Sequence, residues 1–334
     1  MKALLSYAPG GPETLRLDDL PEPAPGPGEL LVRVRACAIN YPDVLIIEDK
    51  YQLKPPRPFA PGSEIAGEVE AAGDGVSGWS AGDRIIAATG FGGLAEKVLI
   101  PAARAIPLPP ERSFEEGSAL LLTYATAIHA LVDRGRLEAG QTLLVLGAAG
   151  GVGIAAVEIG KAIGARVIAA VSSEEKAQAA REAGADAAIV YPMGELEVRA
   201  LSQLFKDAVG PDGADVILDP VGGDYAEAAL RAIGWQGRFL VVGFPAGIPK
   251  LPLNLTLLKS CDVCGVFWGA FVAREPKRNA AHVEQLFRWW AEGKIAPKIS
   301  ATYPLERGGE AIAALRDRKA IGKLVVTLDD SLSQ

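Results

Sequence analysis

Histidine and cysteine are scarce in this sequence, which has 2 His and 3 Cys among 334 residues. Three cysteines cannot build a disulfide framework, so we expect a reducing compartment and, by default, a cytoplasmic protein. Cys261 and Cys264 have CxxC spacing without a second pair, and Cys37 lies in a predicted strand, so core packing is the favoured interpretation of all three. His129 and His282 lie on separate predicted helices, and neither has a set of metal ligands near it.

Excess positive charge and long apolar segments are also missing. The 41 Asp and Glu exceed the 34 Lys and Arg, and the net charge is −7. Nucleic-acid-binding proteins are usually basic, so we predict no nucleic-acid partner. The charge-free stretch Ala139–Val157 contains five glycines and changes from a strand pattern to a helix pattern, which is not typical of a membrane span. No export signal precedes Pro9-Gly10-Gly11, and we predict no membrane association.

Glycine and proline are abundant, with 38 Gly and 24 Pro, and prolines cluster between short predicted strands up to about residue 120. The predicted strands of this part are Lys2–Tyr7, Glu29–Ala38, Glu64–Ala72, Arg84–Ala88 and Ala95–Ile100. Short strands separated by such turn residues predict a β-rich, partly open antiparallel barrel.

From about residue 120 the predicted strands and helices alternate. The predicted strands are Thr142–Leu146, Arg166–Val171, Ala187–Tyr191, Asp215–Leu218, Arg238–Val242 and Asp262–Trp268. The predicted helices are Ala119–Val132, Val152–Ile163, Glu174–Ala183, Glu195–Val209 and Tyr225–Ile233. This alternation predicts an α/β fold with a doubly wound parallel sheet. The helices Ala280–Glu292 and Gly309–Arg318 and the strand Gly322–Leu328 have no sheet of their own, so we expect the tail to return to the first domain.

The turn after the first of these strands carries the clearest functional signal. An apolar strand runs into Gly-Ala-Ala-Gly-Gly-Val-Gly and then into a helix. Glycines permit the tight turn and a close approach to a pyrophosphate, and the N–H groups at the helix start can hold the anion. The candidate cofactor-binding residues of the turn are Gly147, Ala149, Gly150, Gly151, Val152 and Gly153. We predict a dinucleotide site.

The end of the second strand of this sheet indicates which dinucleotide binds. An acidic residue is typical there for NAD, but Ser172 and Ser173 follow the strand and leave room for a 2′-phosphate. Lys176 can supply positive charge, although an ordinary solvated lysine explains it equally well, and Tyr191 can reach the same pocket. The neighbouring Glu174-Glu175 pair disfavours a phosphate unless both side chains point away. We predict NADPH.

Several motifs extend along the chain. They are Arg35-Ala36-Cys37-Ala38-Ile39-Asn40-Tyr41-Pro42-Asp43, Pro61-Gly62-Ser63-Glu64-Ile65-Ala66-Gly67, the glycine turn, Asp219-Pro220-Val221-Gly222-Gly223 and Val242-Gly243-Phe244. Over essentially the whole chain they resemble the medium-chain dehydrogenases/reductases, and within them the zinc-independent quinone oxidoreductase branch that includes zeta-crystallin. The resemblance implies a GroES-like catalytic domain at 1–120 and 271–334 and a Rossmann domain at 121–270. Glu158 departs from the family signature, which has Gln there.

The resemblance also bears on zinc. Zinc-dependent relatives have a cysteine ligand at the position of Asn40, and Gly-His-Glu where this chain has Gly62-Ser63-Glu64. An amide and a hydroxyl are poor replacements for a thiolate and an imidazole on Zn²⁺. The cysteine-rich lobe that binds a structural zinc in those relatives is also missing. We predict no metal.

Without a metal, a quinone or another conjugated carbonyl is the easier acceptor, because its oxyanion needs only hydrogen-bond donors. The resemblance implies a cleft lined by Asn40, Asp43, Tyr51, Ser63 and Thr126. Tyr51 is the candidate to hydrogen-bond or protonate the substrate oxygen, although a surface tyrosine explains it as well. Residues that follow strands at the carboxyl edge of the sheet are expected at the nicotinamide. These are Gly243, Phe244, Phe267 and Trp268.

The favoured function is therefore an NADPH-dependent quinone reductase with a small-molecule substrate. An enone or enoyl-thioester reductase is the alternative, and Lys50, Lys54 and Arg57 could then attract a CoA group. A non-catalytic NADPH-binding protein or an RNA-binding relative remains open, although the acidic charge disfavours RNA. The apolar edge strand around 261–268 predicts a homodimer.

Overall fold

The computed structural model describes residues 1–192 and 197–328. The chain divides into two compact units, which are described separately below. The first unit contains Met1–Leu122 and the chain from Pro297 onward, and the second contains Thr123–Ala296. The chain thus enters the second unit close to the expected position 121, but it leaves at Pro297 and not at 271. Among the described residues, no helix is both long and apolar enough to cross a membrane.

The elements of the described chain are as follows. The strands are β1 (Lys2–Leu5), β2 (Arg16–Asp19), β3 (Glu29–Ile39), β4 (Glu64–Ala72), β5 (Arg84–Ala88), β6 (Lys97–Pro101), β7 (Ile106–Pro107), β8 (Thr142–Leu146), β9 (Arg166–Val171), β10 (Ala187–Val190), β11 (Ala214–Asp219), β12 (Ile233–Val241), β13 (Asp262–Gly265), β14 (Ile299–Pro304) and β15 (Lys323–Thr327). The helices are α1 (Tyr41–Ile47), α2 (Phe114–Ser118), α3 (Leu121–Ile128), α4 (Gly151–Ile163), α5 (Glu174–Glu182), α6 (Val198–Val209), α7 (Gly223–Leu230), α8 (Asn254–Lys259), α9 (Trp268–Arg274), α10 (Pro276–Ala291) and α11 (Gly308–Arg316).

The first unit is built around β3. This long strand pairs antiparallel with β4, β6 and β15, and the sheet continues in the order β14-β15-β3-β4-β5-β7. Its apolar side chains are buried in one core with those of β4, β5 and β15. The pairs Cys37↔Ile65 and Ile39↔Leu324 join the last residues of β3 to the first residues of β4 and β15. The sheet therefore brings the starts of these two strands to the end of β3, where α1 begins.

The second unit contains a parallel sheet in the order β10-β9-β8-β11-β12-β13. Its central strands are apolar and fully buried, as expected for a sheet covered by helices on both faces. The strand β8 comes first in the chain but lies between β9 and β11. Ligands of such sheets bind beyond the carboxyl ends of the strands, near the point where the strand order reverses. The turns after β8, β9 and β11 all lie at this edge.

Some predicted boundaries are corrected by the structure. The strand predicted at Asp262–Trp268 ends at Gly265, because its pairing with β12 ends at Val241↔Gly265, and Trp268 begins α9. The helix predicted at Tyr225–Ile233 ends at Leu230, since Ile233 begins β12. The helix predicted at Ala119–Val132 is α3 followed by a π-helical segment, His129–Arg134. Two residues of the helix predicted from Glu195, positions 195 and 196, lie outside the described residues.

The later return of the chain to the first unit has a physical reason. Both histidines of the chain contact Asp133: His129 Nδ1 lies 2.6 Å from one carboxylate oxygen, and His282 Nε2 lies 3.4 Å from the other. The Phe271 ring stacks on both imidazoles, at centroid distances of 4.0 and 5.7 Å. Arg278 adds an ion pair to Asp133 at 2.6 Å. These contacts from α9 and α10 keep both helices in the second unit.

Candidate functional site

The glycine turn joins β8 to α4 in the second unit, and two of its glycines are required by the backbone. Gly147 has φ +57°, and a Cβ there would lie 2.8 Å from a methyl group of Val221. A Cβ on Gly153 would lie 2.2 Å from the Gly147 carbonyl oxygen and 2.7 Å from Ala148 Cα. The helix therefore approaches the strand end as closely as a backbone allows.

The first turn of α4 presents unused donors. Gly150 precedes the helix in an extended conformation, and Gly151, Val152 and Gly153 form its first turn. The N–H groups at a helix start have no partner within the helix, and the helix dipole favours an anion beside them. No acidic side chain lies in this turn. Ala149 is buried beneath it. The turn fits a pyrophosphate, as its sequence predicts.

The end of β9 carries the residues expected at a 2′-phosphate. Ser173 caps α5 by accepting a hydrogen bond from the Lys176 N–H, 3.3 Å away. The Lys176 ammonium reaches back and donates to Ser172 Oγ at 3.2 Å. Glu174 is exposed and pairs with Arg181 at 2.7 Å, so its charge is engaged elsewhere. This edge of the sheet therefore combines a hydroxyl and an ammonium group.

Tyr191 lies after β10, next to β9 in the sheet. Its side chain is buried, and its ring lies 4.8 Å from the Tyr225 ring and 6.4 Å from the Phe205 ring, centroid to centroid. These packing contacts make Tyr191 part of the apolar core of the second unit. Its predicted place in the cofactor pocket stays a prediction.

Asp219 organises the turn after β11. It is 1% exposed, and its Oδ1 accepts hydrogen bonds from the N–H groups of Val221 and Gly222, both at 2.8 Å. Burial raises the pKa of Asp219 to about 6, against the lowering effect of these hydrogen bonds. Gly243, after β12, donates from its N–H to the Asp219 carbonyl oxygen at 3.4 Å. Asp219 thus links two turns at the carboxyl edge of the sheet.

The aromatic residues predicted near the nicotinamide follow β12 and β13. Phe244 and Phe267 are 44% and 55% exposed, so both rings are available to a ligand. Trp268 begins α9, and its indole N–H donates to Asn279 at 3.0 Å. All three follow neighbouring parallel strands at the edge that carries the glycine turn.

A buried polar cluster lies where β3 passes into α1 in the first unit. The Asn40 N–H donates to Asp43 Oδ2 at 2.8 Å, and Ser63 Oγ donates to the same oxygen at 3.3 Å. The Gly62 N–H donates to Asp43 Oδ1 at 3.1 Å. Burial raises the pKa of Asp43 to about 6, although these hydrogen bonds lower it. Three of the predicted catalytic residues, Asn40, Asp43 and Ser63, are therefore brought together.

The other two predicted catalytic residues are Tyr51 and Thr126. Tyr51 follows α1, is half-buried and packs against the core of the first unit. Burial raises the pKa of the Tyr51 hydroxyl, and the charge of Asp43 raises it further. Thr126 lies on α3, in the part of that helix that belongs to the second unit, and it is half-buried.

Two members of the cluster are absent from the predicted site. Glu64 is fully buried, and its carboxylate accepts hydrogen bonds from Asn40 Nδ2 at 3.1 Å and from the Leu122 N–H at 2.8 Å. The Lys323 ammonium donates to Asn40 Oδ1 and lies 3.4 Å from Glu64 Oε2. The sequence feature that could have identified Lys323 is its position, since it is a charged residue directly before the apolar strand residues Leu324-Val325-Val326.

The donor set does not fit a zinc ion. Asn40 and Ser63 offer an amide and a hydroxyl, and both are engaged in hydrogen bonds. Within the ranges 1–192 and 197–328, no group of three or more His, Cys, Asp or Glu side chains is placed to hold a metal. The nearby Cys37 is buried, and burial raises the pKa of its thiol well above the usual range, which disfavours the thiolate that zinc requires.

Family comparison agrees with this division of the chain. The family described as "Zinc-binding dehydrogenase" matches residues 151–285, within the second unit. The family described as "Alcohol dehydrogenase GroES-like domain" matches residues 26–110, within the first unit. The two matches identify a GroES-like domain and a nucleotide-binding domain in one chain.

Similar proteins extend over nearly all of the chain. Quinone oxidoreductase-like protein 2 homolog of Nematostella vectensis is 37% identical over 90% of this chain and 82% of that protein. Quinone oxidoreductase of Rattus norvegicus is 32% identical over 98% of each. The crystal structure of Escherichia coli quinone oxidoreductase complexed with NADPH has a TM-score of 0.89, 28% identity and coverage of 98% of this chain and 100% of that chain. A mycobacterial structure complexed with NADPH has a TM-score of 0.90, 30% identity and the same coverage.

The chain therefore belongs to the medium-chain dehydrogenase/reductase superfamily, with its GroES-like domain and Rossmann-type parallel sheet. Within that superfamily it lies in the quinone oxidoreductase branch, and it is an oxidoreductase. The family and fold expected from the sequence motifs are confirmed.

Proposed function

We propose that this protein is an NADPH-dependent, zinc-independent reductase that transfers a hydride to a quinone. The observation that carries the proposal is the chemistry and hydrogen bonding of the Asn40 and Ser63 side chains. Both are buried and hydrogen-bonded within the cluster of the first unit, and neither is a zinc-type donor. An acceptor whose conjugated system takes up a hydride without Lewis-acid activation suits such a site.

NADPH is the cofactor that the second unit is built to hold. The N–H groups of Gly151, Val152 and Gly153 would bind its pyrophosphate, and Ser172 and Lys176 would bind its 2′-phosphate. When bound, NADPH supplies the hydride. The exposed rings of Phe244 and Phe267 lie at the same sheet edge and would shield the nicotinamide end from water.

The acceptor oxygen needs a hydrogen-bond donor when negative charge develops on it. Tyr51 is our candidate donor. The ordinary pKa of a tyrosine hydroxyl already keeps it protonated at neutral pH, which is the state that donates, and burial raises the pKa of Tyr51 further. Asn40, Asp43 and Ser63 hold the backbone around the start of α1, because their polar atoms are already committed to one another. Thr126, on the second unit, remains a candidate to contact the substrate.

The basic residues of the loop after α1 favour a quinone over a CoA thioester. Lys50 pairs with Glu48 at 2.7 Å, and Arg57 pairs with Asp49 at 2.7 Å. Two of the three basic residues that could attract a CoA phosphate, Lys50 and Arg57, are therefore already engaged with carboxylates of their own segment, and Lys54 is the third.

The experiment that tests the function is a steady-state assay of NADPH oxidation with a panel of acceptors. The panel contains small quinones, enones and a crotonyl thioester. We expect quinone turnover to exceed turnover of the other two classes, and Tyr51→Phe to lower kcat by about tenfold, the loss of one charge-assisted hydrogen bond. Preferred turnover of an enone or a thioester would assign the alternative function. NADPH binding without turnover of any acceptor would indicate a non-catalytic protein.

We further propose that two copies pair through β13, the edge strand of the parallel sheet. Val263 on β13 is 40% exposed. Large apolar side chains in the segment that precedes β13 are more exposed still, namely Ile248, Leu253, Leu257 and Leu258. An edge strand that follows a segment with such exposed apolar side chains favours burial against an identical strand. The three buried free cysteines fit a reducing compartment, which we propose is the cytoplasm.

A further inference from the structure

Lys323 is a charged residue in an apolar surrounding. It begins β15, is followed by Leu324, Val325 and Val326, and is 3% exposed. A buried ammonium is strongly unfavourable unless it is paired and hydrogen-bonded. Here the Nζ donates to Asn40 Oδ1 and lies 3.4 Å from Glu64 Oε2. The fold thus encloses this cation with two specific partners.

The cluster around Lys323 contains two fully buried carboxyl groups, Glu64 on β4 and Asp43 on α1. Burial raises the pKa of both, and the Lys323 ammonium lowers the pKa of both. The same two carboxylates raise the pKa of the Cys37 thiol on β3, after the larger effect of burial. Lys323 is therefore the cation that offsets the negative charge of this cluster.

Lys323 also determines how the Asn40 amide is oriented. An ammonium can only donate, so the amide oxygen of Asn40 must face it. The Asn40 Nδ2 then donates to the Ala38 carbonyl at 3.1 Å and to Glu64 at 3.1 Å, while its N–H donates to Asp43. Both polar atoms of the Asn40 side chain are therefore engaged in hydrogen bonds, and these bonds fix the residue that precedes α1.

We propose that Lys323 is a positioning residue of the substrate-binding half of the enzyme. Its ammonium holds Asn40 and neutralises Glu64, and Asn40 in turn fixes Asp43 at the start of α1, the helix that leads to Tyr51. This inference deepens the proposed function and rests on it for the role of Tyr51. The contacts among Lys323, Asn40 and Glu64 stand independently of that role.

The first test needs no turnover. Unfolding temperature is measured against pH for wild type, Lys323→Met and Lys323→Arg, with Lys319→Met as control, because Lys319 is 75% exposed. In the folded protein the pKa of Asp43 is about 6, above its ordinary 3.8. The contribution of this carboxyl group to stability is therefore fully present below its ordinary pKa and is lost as the pH rises through about 6. Without the Lys323 ammonium the pKa values of Asp43 and Glu64 rise further, so the loss of stability extends to pH values above about 6.

We therefore expect the deficit of Lys323→Met relative to wild type to grow between about pH 6 and about pH 8. Lys323→Arg and Lys319→Met should follow the wild-type curve. Glu158 and Asp219 also titrate near this range, but they lie in the second unit and contribute equally to every variant. A deficit that is the same at all pH values would mean that only packing was lost and would overturn the proposal.

The second test separates positioning from stability. In the double variant Lys323→Met/Glu64→Gln one of the two buried carboxyl groups is removed while Asp43 remains, so we expect the unfolding temperature to recover in part. The Asn40 amide still lacks the ammonium group that holds it, so kcat with quinone should stay about tenfold low while NADPH affinity is unchanged. A double variant with wild-type kcat and KM would refute the positioning role. If wild type reduces no acceptor, the proposed function fails, and the pH dependence of unfolding still decides whether Lys323 neutralises the cluster.

Discussion

Lys176 is the residue through which the coenzyme choice is best tested. Its ammonium lies at Ser172 Oγ, at the end of β9. Lys176→Ala would remove the charge-assisted contact that we propose to a 2′-phosphate, and such contacts contribute about 1.5–3 kcal/mol. We expect the KM for NADPH to rise at least about tenfold and the KM for NADH to stay unchanged. Steady-state kinetics with both coenzymes measures this.

The matched control for this change is Lys206→Ala, an exposed lysine on α6 of the same unit. It should leave both KM values at their wild-type level. An enzyme that prefers NADH, with a preference unaffected by Lys176→Ala, would show that the phosphate site is assigned incorrectly.

Glu158 carries a half-buried carboxyl group on α4, where the family signature has glutamine. Its Oε2 accepts hydrogen bonds from Tyr124 Oη at 2.7 Å and from the Ala296 N–H at 3.0 Å. Burial raises its pKa to about 7, from an ordinary 4.5. Its stabilising contribution is therefore full below the ordinary value and lost as pH rises through the folded value.

Glu158→Gln should remove this pH-dependent loss of stability, because the amide oxygen of glutamine can accept both hydrogen bonds without bearing charge. We expect the variant to gain on wild type as pH rises from about 5 to about 8, by at most about 3 kcal/mol at the alkaline end. Denaturant unfolding at several pH values measures it. The exposed Glu284→Gln on α10 serves as control. An advantage independent of pH would contradict a neutral-range titration of Glu158.

The sequence motifs identified some residues of the buried polar cluster and missed others. Asn40 and Ser63 were identified because they stand at motif positions, and the structure places them together. The commitment of the Asn40 amide to Lys323 could not be predicted, because the two residues lie 283 positions apart. The packing of Tyr191 against Tyr225 and Phe205 could not be predicted either, because these neighbours come from other segments, and its place at the cofactor stays a prediction.

At the scale of elements, local signals predicted best. The β8–glycine turn–α4 unit was predicted within one residue, because Gly147 adopts a positive φ and Gly153 packs against the turn directly before it. The end of β13 was predicted wrongly, since it depends on where its partner β12 ends at Val241. Strand ends that depend on a neighbouring strand leave little trace in their own residues.

The two edge strands of the parallel sheet allow a matched test of the dimer. Val263 on β13 and Val190 on β10 are 40% and 39% exposed. A lysine on an edge strand opposes edge-to-edge pairing. We expect a dimer by light scattering for wild type and for Val190→Lys, and a monomer for Val263→Lys. A wild-type monomer at micromolar concentration, or equal effects of both changes, would contradict pairing through β13.

For the whole molecule, the alternation of strands and helices was enough to predict the two-domain architecture. The chain was expected to return at 271 and returns at Pro297, because His282 meets Asp133 and Phe271 only in the folded second unit. The sequence placed the two histidines on separate helices, without a set of metal ligands near either. The structure instead uses both on one carboxylate that binds α10 to the second unit.

The central claim is that NADPH reduces a quinone on this protein without zinc. The direct measurement is the quinone-dependent oxidation of NADPH by protein that has been treated with a chelator, with its metal content determined by elemental analysis on the same sample. We predict less than about one zinc per ten chains and a kcat equal to that before treatment. Stoichiometric zinc that survives purification, or activity that is lost with the metal and restored by adding zinc, would contradict the account.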